Sequence, residues 1–399
     1  MHCVPTRIVA AKAQNISAYL LGQAPDPASP AQLRGFIAKH ATDGSTTYYM
    51  PPAGSPQGVA IPTKSSGLSW SVQPVGTTFK TPGTINSGRI YIVDGYLDFF
   101  PSASGQIVQP DPHNPGDIAS KEPWGFIELS HGKANGNEDM TVNLSFVDWV
   151  SLPLGMNVTF KDGNGQKTVS IPGLKADGLP KVCDALSSLD SFWPRLCLRA
   201  ADKTPLRVMS PEKYTSLNPN DKDAANYYEP YITQVWDKYK SADLKINTQT
   251  AGPTSNAKVD NGALVTCRVG SDNILHCDND AGDFSRPVSK DIWGCNSGPF
   301  ANPTGAESWS RARVRPRLCA AFVRSTLHLD APQPSSNVGS SQYYKEKITN
   351  HYSRVVHENL IGGMGYAFSY DDVSPSSTEN SAGLVSMTNP LQLDVFINN

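Results

Sequence analysis

Glu128 and Asp148 are the residues of this chain whose type and spacing could do bond-breaking chemistry. They lie in EPWGFIELSHGKANGNEDMTVNLSFVDWVSLPLG (122–155), on two strand-like runs joined by a polar turn. Cleaving a glycosidic bond needs a proton donor for the leaving oxygen and a second carboxylate, base or nucleophile, on the opposite side of the sugar. Strand alternation in TVNLSFVDWV sets Val142, Leu144, Phe146 and Asp148 on one face and Asn143, Ser145, Val147 and Trp149 on the other. Asp148 breaks an apolar row, so it must be paired, follow a bulge, or line a cleft where apolar cover ends. In GFIELS, Phe126, Glu128 and Ser130 share a face against Ile127 and Leu129. Apolar neighbours favour the protonated form that a general acid needs. An acid in a strand is more commonly a structural ion pair or a solvated side chain, so these two residues alone leave both readings open.

The elements that must position them are short strands. Up to about residue 160 the chain reads as strands between Gly, Pro and Ser turns: GRIYIVDGYLDFF (88–100), GFIELS (125–130), TVNLSFVDWV (141–150) and GMNVTF (155–160). This spacing predicts a β-sandwich or barrel. Beyond it, 175–189 has helical apolar spacing with a start at Asp177. The stretch 222–241 reads as a helix interrupted by Pro230, and 343–360 as a helix stopped by Gly362 and Gly363. A hairpin over 264–278 and a loop tract over 281–305 lie between them, and the last 35 residues or so return to strand character. The order predicts a mainly β protein with an α+β insertion. Residues 1–160 and 363–399 would form a β-sandwich or barrel domain, and 161–362 a mixed α/β domain inserted into it.

Composition bounds the partners. The 399 residues include 34 basic and 36 acidic side chains, a net charge of −2, with 32 Gly and 32 Pro. No basic excess exists to neutralise phosphates, so nucleic acid is not an expected partner; a neutral polysaccharide is compatible. No apolar run approaches the roughly 20 residues that span a bilayer, so no membrane partner is expected. The first residues, MHCVPTRIVAAKAQ, lack a signal-peptide core, so any leader is expected to have been removed. Cys183, Cys197, Cys267, Cys277, Cys295 and Cys319 crowd one stretch without CxxC spacing, which predicts three disulfides; buried free thiols are the other reading. Fifteen pairings are possible for six cysteines. Sequential ones are favoured because Cys267 and Cys277 flank a hairpin turn at GSDN, and Cys3 is left over. Three sequons, at Asn15, Asn143 and Asn157, add slight support for an extracellular location.

The pieces GRIYIV, GFIELS…LSFVDWVSLPLGMNVTF and GYAFSYDDV resemble the thaumatin-like fold, which carries an acidic cleft between a β-sandwich and an inserted domain. More specifically, WGFIELS, SFVDWVSLPLG, YYEPYITQVWDKY, DNDAGDFSRPVSKDIWGC, TNHYSRVVHENLIGGMGYAFSYDDVSPS and TNPLQLDVFIN resemble glycoside hydrolase family 64, the laminaripentaose-producing β-1,3-glucanases. The likeness runs from about residue 85 to the end; the first 80 residues match less clearly. It implies a wide groove between the domains, Glu128 as general acid, Asp148 as general base, and inversion through a water held between them. It implies no metal or organic cofactor, a monomer, and a secreted enzyme that cuts linear β-1,3-glucan such as laminarin or curdlan internally into short products. The turn HGKANGNED is longer than in bacterial members, and the family's Thr and Asn after the acid appear as Ser130 and Gly132. Sugar contacts and product length are therefore left open.

Around the acids, Ser130, Ser145, Arg89, Trp149, His351, Tyr352, Tyr370 and Asp371 are candidates for substrate contact. Each has an ordinary alternative: a salt bridge for Arg89, packing for Trp149 and Tyr352, a solvated helix face for His351, and a turn or cap for Tyr370 and Asp371. The run DNDAGDFSR (278–286) only superficially resembles a calcium loop, lacking its terminal Glu. A non-catalytic thaumatin-like module that binds glucan in defence is the alternative function, and an extracellular structural protein the third.

Overall fold

In the segment GRIYIVD both alternating sets are apolar, and the fold buries both. A computed structural model describes every residue except 1–2, 11–14, 42, 74–75, 135, 250–262, 377–378 and 399. In strand Ile85–Asp94, Ile90 and Ile92 enter one core while Tyr91 and Val93 enter a second on the opposite face. This strand sits in the middle of an eight-stranded sheet. From edge to edge it runs Val385–Thr388, Asn137–Leu144, Trp124–Ala134, Ile85–Asp94, Ile16–Asp26, Ser29–His40 and Thr46–Tyr49, with Trp70–Ser71 pairing beside Ile16–Asp26. A five-stranded sheet orders Gly165–Ile171, Leu154–Asp162, Pro390–Ile397, Pro5–Val9 and Thr77–Lys80. The two sheets share one core that includes Ile8, Ile92, Leu129, Val142, Met156, Val158, Leu393 and Val395. The first 80 residues, which the sequence left without a role, thus supply strands to both sheets. The C-terminal strand lies between Leu154–Asp162 and, in parallel, Pro5–Val9.

The molecule is mainly β, in several sheets, with its α-helices between residues 172 and 384. Gly178–Ser187 begins just after Asp177, although that side chain makes no capping bond. The 222–241 stretch divides into Lys222–Ala225 and Glu229–Ser241, with Pro230 in the first turn of the second, where its missing N–H is harmless. Two expectations fail, and one helix lies where none was expected. The helix expected over 343–360 occupies only His351–Asn359, because Tyr344 takes a left-handed backbone (φ 59°) and Asn350 caps the first turn by accepting from the Ser353 N–H. The 281–305 loop tract contains the strand Gly282–Phe284 and the helix Ser289–Gly294. The helix Trp309–Val323 had no sequence signal, since Pro316 and four arginines hide its apolar spacing.

Disulfides join Cys183 to Cys197, Cys267 to Cys277 and Cys295 to Cys319, the sequential pairing. Cys267 faces Cys277 across the expected hairpin, and Cys3 is free. No helix among the described residues is long and apolar enough to cross a membrane.

Candidate active site

Glu128 lies mid-strand in Trp124–Ala134, between Arg89 of Ile85–Asp94 and Asn143 of Asn137–Leu144. Ile127 and Leu129 point into the shared core, which leaves Glu128 on the face of Phe126, as the alternation predicted. The Arg89 guanidinium donates to Glu128 Oε1 from Nε (3.3 Å) and Nη2 (3.1 Å), and from Nη1 to Gln109 Oε1 (3.4 Å). It rests on the Phe126 ring, 4.5 Å from the centroid. Burial works against the Arg89 charge, but Tyr91, Glu128 and Asp148 around it hold its affinity for the proton above the ordinary value.

Asp148 reaches the same space by another route. The ladder of Asn137–Leu144 ends at Leu144, and residues 145–148 turn before the short strand Trp149–Val150 begins. Alternation therefore does not run on to Asp148, and its side chain lines the cavity with Asn143, Ser145 and Val147 instead of joining the buried row of Val142, Leu144 and Phe146. Lys213, in the first turn of the helix Pro211–Leu217, brings Nζ to 3.4 Å from Asp148 Oδ1 and 3.5 Å from Glu212 Oε2. Burial lowers the Lys213 proton affinity, but Asp148 and then Glu212 raise it above its usual value. The Ser-Pro-Glu start of that helix is a signal that could have located Lys213.

Both carboxylates line one cavity of about 290 Å³ with Arg89, Asn143, Ser145 and Tyr366. On the Glu128 side it adjoins a space of about 450 Å³ reaching Ser130 and Gln109, and on the Asp148 side one of about 120 Å³ bounded by Lys213, Glu212 and Trp293. Arg89, Glu128, Asp148, Ser130 and Ser145 thus come together in one groove. Asn143, Gln109, Lys213 and Tyr366 join them without having been expected.

Five further candidates for substrate contact are buried or already have partners elsewhere. Trp149 is buried, with its ring against Trp124 (4.5 Å) and Phe126 (5.2 Å) and its Nε1 donating to the Trp124 carbonyl, so it offers no open face to a sugar. Tyr352 is fully buried and its hydroxyl donates to the Phe146 carbonyl (2.5 Å), bracing the turn that carries Asp148. Asp371 is fully buried between Arg324 and His357. Tyr370 is half-buried and its hydroxyl accepts from Arg315 Nη1 (2.9 Å). His351 stacks edge-on to Trp193 (5.2 Å) and faces the Lys347 carbonyl; burial and then Arg354 push its proton affinity down to about 4. In the DNDAGDFSR run, Asp278 accepts from the Thr266 N–H and Asp283 is paired with His276. Among the described residues, no three His, Cys, Asp or Glu side chains converge as metal ligands.

The fold defines a class among known structures. Over 99% of this chain and 98% of the other, it superposes with a TM-score of 0.79 and 24% identity on a crystal structure of a laminaripentaose-producing β-1,3-glucanase in complex with laminaritetraose. It matches a β-1,3-glucanase domain from Clostridium beijerinckii with a TM-score of 0.69 and 17% identity, over 100% of this chain and 98% of that one. The chain belongs to glycoside hydrolase family 64, described as Beta-1,3-glucanase, which it matches over residues 7–397. Among curated relatives it is 28% identical over 290 residues to a glucan endo-1,3-beta-glucosidase of Arthrobacter sp. (strain YCWD3), and equally so to one of Cellulosimicrobium cellulans. Those stretches cover 72% of this chain and 48% of each relative, so the chain spans about half the length of the curated relatives it matches.

Proposed function

We propose that this chain is an endo-acting β-1,3-glucanase that cuts linear glucan by inversion, with Glu128 as acid and Asp148 as base. The observation that carries the reading is that two carboxylates from different segments line one open cavity, each held by its own cation. In the reaction, Glu128 gives its proton to the glycosidic oxygen as the bond to the anomeric carbon breaks and its electron pair goes to that oxygen. Asp148 takes a proton from a water that attacks the opposite face. Ser130 and Ser145 would offer hydroxyls to the sugar, and Arg89 would fix the acid. Family membership supports the glucan substrate, and the relatives' names support internal cleavage. Likeness to a laminaripentaose-producing enzyme supports a pentasaccharide product. We also propose a thaumatin-like division into 1–160 with 363–399 and an inserted 161–362, working as a monomer. Three disulfides favour an oxidising, extracellular setting.

Glu128→Gln and Asp148→Asn should each cut reducing-sugar release from laminarin by about 10²–10⁴-fold while the melting profile persists. Full activity in either variant removes that residue from the mechanism. NMR of the first product should show the α-anomer; the β-anomer would mean retention. One second reading, a module that binds glucan without cutting it, is favoured by the Arg89–Glu128 ion pair, in which Arg89 already takes Oε1 with two hydrogen bonds. Retention on insoluble curdlan with no released sugar would support that reading.

A further inference from the structure

The two oxygens of the Glu128 carboxylate are not equivalent. Oε1 takes both Arg89 hydrogen bonds, whereas Oε2 has no hydrogen-bond partner among the described residues. Directly across the sheet on the other side stands Asn143, so Arg89, Glu128 and Asn143 form one row over three adjacent strands. Facing residues in such a pair hold their Cβ atoms about 4.5–5.5 Å apart, within reach of a rotated amide. Asn143 lines both spaces that Glu128 lines. Its Oδ1 is shut off from solvent and takes no hydrogen bond from the protein. A buried acceptor left in that state calls for a donor that arrives in the working molecule.

We infer that Asn143 is a positioning residue for the acid: its Oδ1 accepts a hydrogen bond from Glu128 Oε2–H and keeps the proton on the oxygen that Arg89 leaves free. The inference rests on Glu128 being the general acid. Arg89 acting alone would favour the ionised carboxylate, which has no proton for a leaving oxygen. A carbonyl oxygen does the reverse, because it can accept from a neutral carboxyl and only repels an ionised one. The other charged and titratable groups around Glu128 are Tyr91 beside Arg89, Asp148 and Tyr366 in the same cavity, and Lys213 behind Asp148. Arg89 and Lys213 pull toward the ionised form, and Asp148 toward the protonated one. Asn143 adds to the second group a hydrogen-bond acceptor facing Glu128 from the side opposite Arg89, and aims the proton along the groove instead of toward Arg89.

The test is the pH dependence of kcat/KM on laminarin for the wild type, Asn143→Ala, Asn143→Asp and Glu128→Gln. Loss of the acceptor in Asn143→Ala should move the alkaline limb down by about one unit, a tenfold loss on that side only. Asn143→Asp keeps an acceptor and adds a like charge, so its alkaline limb should move up. Limbs that stay in place in both variants, even with a lower kcat, would reduce Asn143 to packing and overturn the inference. Wild-type rates in Glu128→Gln would overturn the acid assignment itself, which separates the two failures.

Discussion

Lys213 stands to Asp148 as Arg89 stands to Glu128, but with a different chemical effect. In the proposed mechanism Asp148 is the base, and Lys213 Nζ lies 3.4 Å from it as its counter-charge. In Lys213→Met, Asp148 and Glu212 would share a half-buried cleft without the one cation paired to both. The acidic limb of kcat/KM against pH should then move up by roughly one unit, with the alkaline limb unmoved; an acidic limb that stays in place would assign Lys213 to packing. The two acids also differ in how far the sequence reveals them. Glu128 sits inside a regular ladder, where a period of two assigns faces correctly. Asp148 lies past the end of one, where the turn over 145–148 resets direction, so parity put it on the wrong face. Lys213, Gln109 and Tyr366 come from distant segments, and no local pattern records which of them meet.

The segment 366–373 carries Tyr366 to the groove and is pinned from behind. Asp371 accepts from the Ala367 N–H, pairs with Arg324 just past the helix Trp309–Val323, and pairs with His357 of His351–Asn359. Burial disfavours the His357 charge, yet Asp371 raises its proton affinity above the usual 6.5. Burial likewise opposes the Asp371 charge, but His357 and Arg324 hold its carboxyl below the usual 3.8. The raised histidine contributes stability that is full below about pH 6.5 and fades as pH rises through its folded value. The depressed aspartate contributes above about pH 3.9 and fades as pH falls through its folded value. The difference in Tm between the wild type and His357→Gln should therefore peak between those limits and shrink on both sides. A difference that is flat with pH would mean that the pair does not titrate with folding. Strands were more legible than helices here. Alternation survives in strands such as Asn137–Leu144, whereas the buried Arg315 and the internal Pro316 of Trp309–Val323 erase the apolar period on which a helix prediction depends.

Across the whole molecule, the disulfides close short loops, with sequence separations of 14, 10 and 24, all within residues 183–319. None of them staples the two large sheets, which are held by their shared core; Arg207, on the strand Pro205–Met209, ties a third, three-stranded sheet to the chain ahead of Glu128. That buried side chain donates from Nη2 to the carbonyls of Ala119, Ser120 and Glu122, just ahead of the strand bearing Glu128, and burial pushes its proton affinity down to about 10. Replacing Cys267 and Cys277 together by Ala should cost about 2–3 kcal/mol in a denaturant titration and leave laminarin cleavage at room temperature unchanged. Lost activity in a folded variant would show that the hairpin reaches the groove. Asn143 has one more consequence, for production. The sequon Asn143-Leu-Ser is read while the chain is still extended, before its strand pairs, and the folded position lies on the groove floor beside Glu128. A yeast or insect cell that decorated it would secrete protein with a sugar tree planted in the groove proposed for the substrate, so a bacterial periplasm, oxidising and without that modification, is the host this groove calls for.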